Sequence, residues 1–236
     1  MPDAQCLVPF FAETHPLNLI RFAPAEGMRP VATIANVRAR AKNFAAKHRD
    51  QPRVLAEQAM AIAPKDEQLA FEVFRASKKA VLSLTPSEIE SLLEHLHDWN
   101  STDCFACFVS GVAWREGIVR DSTILTWTRS ENRWVRRAAL ASTIPLNLTA
   151  RGAVSPNGEP KKTLAICTRL VDDRDDMVVK AMSWALRTLG EKDREAVVRF
   201  IATHEARLAS RVLRETNNKL NTGLKNPRTK TPHQEH

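Results

Sequence analysis

From about residue 30 onward, apolar side chains recur at intervals of three and four residues, which is the spacing of one face of an amphipathic helix. Residues 31–48 show this most clearly, and their arginines and lysines fall largely on the other faces. The apolar positions of this run are Ile34, Val37, Ala41, Phe44 and Ala45. Short breaks separate such runs, and the sustained alternation typical of strands is missing. The pattern predicts an all-α protein.

One helix start can be located from side-chain chemistry alone. Thr85 is a good capping residue, Pro86 suits the first helical position, and Glu88 stands where it completes a capping box. Apolar residues follow at helical spacing, so the sequence predicts a helix that begins at Pro86. The run 101–113 is rich in cysteine, phenylalanine and valine and predicts a buried helix.

Two later segments resemble each other and indicate an internal repeat. Residues 132–140 can be laid over residues 175–183, since both have a polar cap-like residue, an apolar residue, a valine, a basic residue and an alanine. Residues 208–212 are a weaker third copy. This signature is typical of the second helix of HEAT-type pairs, where small alanines permit close stacking. With 121–128 and 161–171 as partner helices, it predicts a curved α-solenoid of degenerate HEAT-like helical repeats.

The basic position of this repeat has a functional consequence. Equivalent helices of a solenoid line one concave surface, so Arg137, Lys180 and Arg211 are expected to recur along one side. The chain carries 35 Lys+Arg against 27 Asp+Glu, a net charge of +8, which is typical of polyanion binders. A merely basic protein would have the same total, so the predicted basic stripe is what favours binding to a duplex backbone.

The sequence divides into three parts. Residues 1–29 are expected to form an N-terminal arm or first helix, residues 30–222 the repeat domain, and residues 223–236 a disordered tail. Residues 153–162, with their prolines and glycine, predict an internal loop. Because no secretory signal or membrane-spanning stretch is visible, the expected location is the cytoplasm.

Several kinds of chemistry are disfavoured by the residues present. With only 7 glycines, the chain has neither a G-x-G-x-x-G nor a Walker motif, and it has no G-x-S-x-G elbow. His95, His97, Cys104 and Cys107 are four possible zinc ligands within a short span. The two cysteines, however, belong to the predicted buried helix rather than to a tight turn. We expect no metal and no cofactor, with a zinc site as the alternative.

The residues from Trp99 to Asp103 close one predicted helix and open another. If the second helix starts near Asn100, Asp103 lies in its first turn, where the helix N-terminus keeps a carboxylate ionised. Such a W-x-x-x-D pattern is common by itself. The simpler interpretation is a tryptophan packed in a helix junction beside a capping aspartate.

Two further helices carry basic residues in stripes. Lys180, Trp184 and Arg187 stand at i, i+4 and i+7 on one helical face, and Arg211 and Arg214 form a similar stripe on the last helix. Either stripe can be a solvated face. Trp184 can equally be a core tryptophan flanked by the stems of basic side chains.

Taken together, these segments resemble the AlkD-like DNA alkylation repair family over roughly residues 30–220. The matching motifs are W-x-x-x-D at 99–103, W-V-R-R-A-A-L-A-S-T-I at 134–144, V-K-A-M-S-W-A-L-R at 179–187 and R-V-L-R-E-T-N-N-K-L at 211–220. The ordered set is far more specific than any single motif. Members of this family are HEAT-like-repeat glycosylases that excise N3- and N7-alkylated purines from duplex DNA while the lesion stays largely stacked.

The resemblance implies a role for each matched residue. Asp103 would be the catalytic aspartate, with Trp99 and Trp184 as the tryptophans of the site. The DNA contacts implied by the resemblance are Arg137, with Arg136 as the alternative register, and Arg187, while the basic positions of the repeat and of the last helix add Lys180, Arg211 and Arg214 as expected DNA contacts. The implied partner is double-stranded DNA containing alkylated bases, bound by a monomer that associates with the nucleoid.

These residue types suit that chemistry. Alkylation at N3 or N7 makes the base cationic, so it can leave as a neutral purine without a general acid. An ionised Asp103 can stabilise positive charge on the sugar and position water. The indole faces of Trp99 and Trp184 suit a cationic sugar–base unit, and Arg137 can hold a phosphate.

Two other functions stay open at this point. A non-catalytic HEAT-repeat protein that binds damaged or branched DNA needs the basic stripe but not Asp103. A HEAT-type scaffold for other proteins predicts an apolar or acidic concave face in place of the basic residues.

Overall fold

The computed structural model describes residues 33–148 and 158–227. Across these two ranges the backbone forms helices and turns but no β-strand, so the predicted all-α class is confirmed. The predicted arm or first helix at 1–29 lies outside the described residues.

The helices before residue 149 are α1 (Ile34–Lys47), α2 (Pro52–Ile62), α3 (Glu67–Ala76), α4 (Lys78–Leu82), α5 (Pro86–Ser91), α6 (Trp99–Phe105), α7 (Gly111–Arg115), α8 (Asp121–Trp127), α9 (Arg133–Ala141) and α10 (Ile144–Asn147). Those after residue 157 are α11 (Pro160–Arg169), α12 (Asp176–Gly190), α13 (Arg194–His204) and α14 (Ser210–Thr222). Single 3₁₀ turns follow α5 and α13, and a π-helical segment, Ala106–Ser110, joins α6 to α7.

Six of these helices form a continuous series, in which α1, α3, α6, α9, α12 and α14 pack on one another in that order. We call this series the central row. Other helices pack against it, with α2 on α3, α8 on α9, and α11 and α13 on α12. A domain that is built by stacking successive helical units is a helical-repeat solenoid, as the sequence predicts.

The polar residue of the repeat signature caps two helices of the central row, as predicted. The side chain of Asn132 accepts a hydrogen bond from the Trp134 amide at 2.9 Å and so caps α9, and Asp175 caps α12 through the Met177 amide at 2.9 Å. The alanines of the signature, Ala138 and Ala181, are completely buried. Without larger side chains at these positions the helices can approach closely.

The predicted capping box is also present. Thr85 Oγ1 accepts a hydrogen bond from the Glu88 amide at 3.3 Å, and Glu88 Oε2 accepts one from the Thr85 amide at 2.8 Å. Pro86 is the first residue of α5, where its missing N–H costs nothing.

The predicted buried helix at 101–113 is helical throughout, but it contains the π-helical segment. Gly111 follows that segment directly and lies where three elements meet. A Cβ atom at this position would lie 2.6 Å from the carbonyl oxygen of Ala106, 2.7 Å from that of Ser142 and 2.8 Å from Pro145 Cγ. These are mostly backbone atoms, which cannot rotate away.

We therefore expect Gly111→Ala to lower the free energy of unfolding by about 1–3 kcal/mol or more, as overpacking does elsewhere. Gly190→Ala is the matched control, because the added Cβ would meet only side-chain atoms, with Leu220 Cδ2 at 3.0 Å. That variant should stay within about 1 kcal/mol of the parent. Urea denaturation followed by circular dichroism measures both, and equal effects of the two substitutions would contradict the expectation.

The predicted loop at 153–162 is shorter than expected at its C-terminal end, since α11 already begins at Pro160. The cause is the buried side chain of Asn147. Its Nδ2 donates to the Thr143 carbonyl at 3.0 Å and to Thr163 Oγ1 at 2.8 Å, and its Oδ1 accepts from the Glu159 amide at 2.9 Å. This anchor places Pro160 at the first helical position, which proline favours. Residues 149–157 are outside the described ranges.

The predicted tail begins with residues that contact α14. Asn218 Nδ2 donates to the Lys225 carbonyl at 3.1 Å, and Lys225 Nζ lies 3.6 Å from the Glu215 carboxylate. Gly223, with φ +75°, ends α14 in the left-handed conformation that glycine favours. The rest of the predicted tail, 228–236, is not described. No helix within residues 33–148 and 158–227 is long and apolar enough to cross a membrane.

Candidate functional site

Helix α6 begins one residue earlier than predicted and has a different cap. Asp98 Oδ1 accepts hydrogen bonds from the amides of Asn100 at 2.7 Å and Ser101 at 2.8 Å. Trp99 is therefore the first helical residue, and Asp103 lies in the second turn. The prediction that Asp103 stands in the first turn is wrong, and the capping function that its alternative interpretation assigned to it belongs to Asp98.

Trp99 is the large aromatic residue that this helix leaves in solvent. Its exposed fraction is 56%, so it is not a tryptophan packed in a helix junction. Asp103 follows four residues later, which places the two side chains on the same face of α6, one turn apart. An exposed indole next to a carboxylate is available to an incoming ligand.

The Asp103 carboxylate forms a two-pronged ion pair with Arg137 of α9. Arg137 Nε donates to Asp103 Oδ1 at 2.8 Å, and Nη2 donates to Oδ2 at 2.6 Å. Nη1 of the same guanidinium donates to the Met177 carbonyl of α12 at 2.6 Å. The side chains of Asp103 and Arg137 are only 13% and 7% exposed, respectively. One arginine thus holds the carboxylate and joins three consecutive helices of the central row.

Burial changes the proton affinity of this carboxylate. Loss of water raises the pKa of Asp103 above the ordinary aspartate value, the charge and hydrogen bonds of Arg137 oppose that rise, and the nearby Asp98 charge adds to it. Asp103 is thus a stronger proton acceptor than an exposed aspartate. Its ionised form is stabilised by Arg137 and not, as predicted, by the helix N-terminus.

The basic residues of the three repeats converge on the start of α12. Lys180 Nζ lies 2.7 Å from Asp176 Oδ2, and an Arg211 nitrogen lies 3.5 Å from Asp176 Oδ1. These cations and the charge of Arg137 lower the pKa of Asp176, with the Lys180 hydrogen bond as the main cause. Arg137, which bonds to the Met177 carbonyl at the start of α12, therefore lies near Lys180 and Arg211. Because Arg137 is buried, an exposed basic stripe along the repeat stays a prediction.

Arg136 occupies a different environment from Arg137. Its Nε donates to Asp173 at 2.7 Å, and its Nη1 donates to the carbonyls of Ser130 at 2.9 Å and Glu131 at 2.8 Å. These bonds connect the chain before α9 to the chain before α12. The guanidinium that the sequence predicts to contact DNA is engaged in joining two repeats.

The second tryptophan of the predicted site is half-buried. Trp184 lies on α12, one turn after Lys180, and packs against the hydrophobic core. In the next turn, Arg187 Nε donates to Ser183 Oγ at 3.3 Å, and the Ser183 hydroxyl donates to the buried Glu215 carboxylate at 2.6 Å. These bonds position Arg187 against α14. Arg214, also on α14, is exposed.

Sequence reasoning missed two residues that support this site. Asp176 receives both Lys180 and Arg211, although the repeat alignment contained it as the residue after the cap. Asn100 Nδ2 donates to Gln68 Oε1 at 2.8 Å and ties the start of α6 to α3. No local sequence pattern indicates the Asn100–Gln68 hydrogen bond, because the two residues are 32 positions apart.

The alternative zinc site is not supported by the donor set. Cys104 and Cys107 are buried within the helix, and burial raises the pKa of both thiols well above the ordinary value. Zinc takes the thiolate form, which this environment disfavours. In the two described ranges, no three or more His, Cys, Asp and Glu side chains are grouped so as to hold a metal ion.

Comparison with known proteins assigns the chain to a family. No curated protein and no solved structure gives a significant match to the chain. A family model described as "DNA alkylation repair enzyme" matches residues 32–220 of the 236. That span contains the central row as far as Leu220, near the end of α14, together with the Asp103–Arg137 pair and both tryptophans. The chain therefore belongs to the DNA alkylation repair enzyme family, and it is an enzyme of DNA repair whose substrate is alkylated DNA.

Proposed function

We propose that this protein is a monofunctional DNA glycosylase that hydrolyses the N-glycosidic bond of N3- and N7-alkylated purines in duplex DNA, without deep base flipping. One observation carries the proposal. The carboxylate of Asp103 is almost buried, fixed by two hydrogen bonds from Arg137, and one helical turn from the exposed indole of Trp99. A group held in this way is oriented before the substrate arrives, which is the condition for efficient catalysis.

The reaction follows from the charge of the substrate. Alkylation gives the purine a positive charge, so the C1′–N bond breaks with its electron pair moving to the base, which leaves neutral. Positive charge then develops on the deoxyribose, next to the Asp103 carboxylate. The oxygen of a water molecule bonds to C1′, and a proton of that water passes to Asp103 as the general base. No metal or redox cofactor enters this balance.

The pKa of Asp103 supports this role. A carboxylate whose pKa is raised by burial is a better proton acceptor than an exposed one, while Arg137 favours its ionised form. Arg137 therefore acts in this proposal as the positioning residue of Asp103. Three of its N–H groups are used by Asp103 and Met177, so a phosphate contact falls to its two remaining N–H groups.

The remaining predicted contacts are basic residues of α12 and α14 that are partly or fully exposed. Lys180, Arg187, Arg211 and Arg214 are proposed to contact phosphates, which position the duplex without selecting a sequence. Trp184 is proposed to face the sugar–base unit from α12, opposite Trp99 on α6. The predicted Arg136 contact stays a prediction, since the bonds of Arg136 to Asp173 and two carbonyls serve the fold.

Trp99→Ala separates function from stability. Because this side chain is mostly exposed, its loss should change the free energy of unfolding by no more than about 0.5 kcal/mol. A cation–π contact of about 0.5–2 kcal/mol in the transition state corresponds to an excision rate about 2- to 30-fold lower. Leu82→Ala, at another exposed apolar residue, is the control and should leave excision unchanged. Equal rates for Trp99→Ala and the parent would remove Trp99 from the site.

Release of 7-methylguanine or 3-methyladenine from methylated duplex DNA, in buffer containing EDTA, tests the proposal. The parent protein should release free base, and its DNA affinity should fall steeply with salt. Salt-dependent binding without base release would leave a non-catalytic binder of damaged or branched DNA. Binding that barely depends on salt would contradict both nucleic-acid functions and favour a scaffold.

A further inference from the structure

A second charged cluster lies on the central row, centred on Glu72 of α3. The Glu72 side chain is only 3% exposed. Its Oε1 accepts from Arg38 Nε of α1 at 3.1 Å and from Gln68 Nε2 at 3.5 Å, and its Oε2 accepts from Arg75 Nη1 at 2.9 Å. One buried carboxylate is thus shared between two guanidinium groups.

The cluster has more positive charge than its carboxylate requires. One arginine neutralises a buried glutamate, so the second leaves the group with a net positive charge. Arg38 and Arg75 are 39% and 24% exposed, and each uses a single guanidinium nitrogen for Glu72. Among residues 33–148 and 158–227, Glu72 is the one side chain that accepts hydrogen bonds from these guanidinium groups. Their remaining N–H groups are therefore available to a ligand.

This cluster is adjacent to the Asp103–Arg137 pair. Helix α3 packs against α6 and the π-helical segment, and the Arg75 guanidinium lies over the Phe108 ring, 5.0 Å from its centroid. The charges that act on the buried Cys107 thiol come from Asp103, Arg137 and Arg75. Both charged groups are therefore close enough to influence the pKa of this one thiol.

We infer that Arg38 and Arg75 form a phosphate-binding site for the DNA backbone, preorganised by Glu72 and Phe108. Planar guanidinium forks match phosphate oxygens, and a carboxylate and a ring that fix the fork reduce the entropy lost on binding. This inference rests on the proposed function and adds a contact on the opposite side of Asp103 from Lys180 and Arg211.

The spacing along the central row suits a duplex. From α3 to α12 there are three helix–helix steps of about 8–10 Å, or about 24–30 Å in all. That distance is a little less than one turn of B-form DNA, about 34 Å. Phosphates on either side of the lesion would thus be held by Arg38 and Arg75 on one side of Asp103 and by Lys180 and Arg211 on the other.

Binding to a short duplex at several salt concentrations tests this site. We expect Arg38→Gln and Arg75→Gln each to reduce the slope of log Kobs against log salt by about 0.9, the value for one lost phosphate contact. Arg53→Gln is the matched control. Arg53 is likewise paired with carboxylates, those of Glu57 at 2.9 Å and Glu88 at 2.6 Å, but it lies on α2 outside the central row. Its slope should equal that of the parent.

Two outcomes overturn the inference. The first is that Arg38→Gln and Arg75→Gln both have the same salt-dependence slope as Arg53→Gln and the parent. The second concerns Glu72→Gln, which removes the negative charge and keeps both arginines, so its slope should not fall below that of the parent. A fall equal to that of the arginine variants would assign the cluster to the fold and not to phosphate. If Arg75→Gln fails to fold, the slope of Arg38→Gln alone tests the inference, because in that variant Glu72 keeps its bond to Arg75.

The same titration distinguishes this inference from the proposed function. A parent protein without salt-dependent duplex binding would contradict DNA binding as a whole. A parent that binds and excises, with unchanged slopes in the arginine variants, would contradict only the Arg38–Arg75 site.

Discussion

Asp103→Asn is expected to slow base excision by about 10²- to 10⁴-fold, the range for loss of a general base. The amide has nearly the shape of the carboxylate but cannot accept the proton of water, and it has no charge to stabilise the deoxyribose cation. Binding to alkylated duplex should persist, because the phosphate contacts are unchanged. Single-turnover excision and equilibrium binding, measured on the same protein, separate the two effects.

Asp98→Asn is the matched control for that variant. It makes the same chemical change at the cap of the same helix, where asparagine caps about as well as aspartate. Asp98 makes no bond to Arg137, so excision should stay within a few-fold of the parent. Equal losses in the two variants would show that negative charge near α6, rather than Asp103 itself, supports the reaction.

Arg137→Gln is expected to move the acidic limb of the pH–rate profile to higher pH. Arg137 opposes the rise in the pKa of Asp103, so its removal lets burial raise that pKa further. Because the ionised carboxylate is the active form, activity falls as pH decreases through the higher value. The parent limb should itself lie above the ordinary aspartate pKa of about 3.9. Excision rates across the pH range measure both limbs.

The same substitution should lower the free energy of unfolding at neutral pH by about 3–5 kcal/mol, since it leaves a buried carboxylate without its partner. Arg133→Gln, on the same helix, is the control, because Arg133 is exposed and lies 3.4 Å from Asp175 at the surface. That change should cost at most about 1 kcal/mol. An unshifted acidic limb in Arg137→Gln would show that Arg137 does not control the protonation of Asp103.

The features that the sequence predicted correctly depend on interactions between residues close together in the chain. The Thr85–Glu88 capping box and the polar caps Asn132 and Asp175 involve bonds across two or three positions. Helical periodicity and repeated alanines then predict that successive helices stack. These features are visible in a sequence because the forces involved are local and repeat at a fixed spacing.

The pairing inside the site could not be predicted in the same way. Asp103 and Arg137 are 34 residues apart, and their bond depends on how α6 and α9 stack. The Glu72 cluster likewise joins α1 to α3 across 34 residues, and no repeated motif marks it. The π-helical segment after α6 also escaped prediction, because a single wide turn hardly changes the apolar periodicity. Resemblance to a family selected Asp103 and Arg137, but only the fold pairs them.

The most direct test of the glycosylase account is mass spectrometry of a duplex that contains a single 7-methylguanine. With the parent protein, we expect equal amounts of free 7-methylguanine and of an intact strand that has lost the base and gained one water. Asp103→Asn, at the same occupancy, should leave the strand nearly unchanged over the same time. A parent protein that binds this duplex but leaves its mass unchanged would contradict the glycosylase function. An Asp103→Asn variant as fast as the parent would contradict the role of Asp103 as the general base.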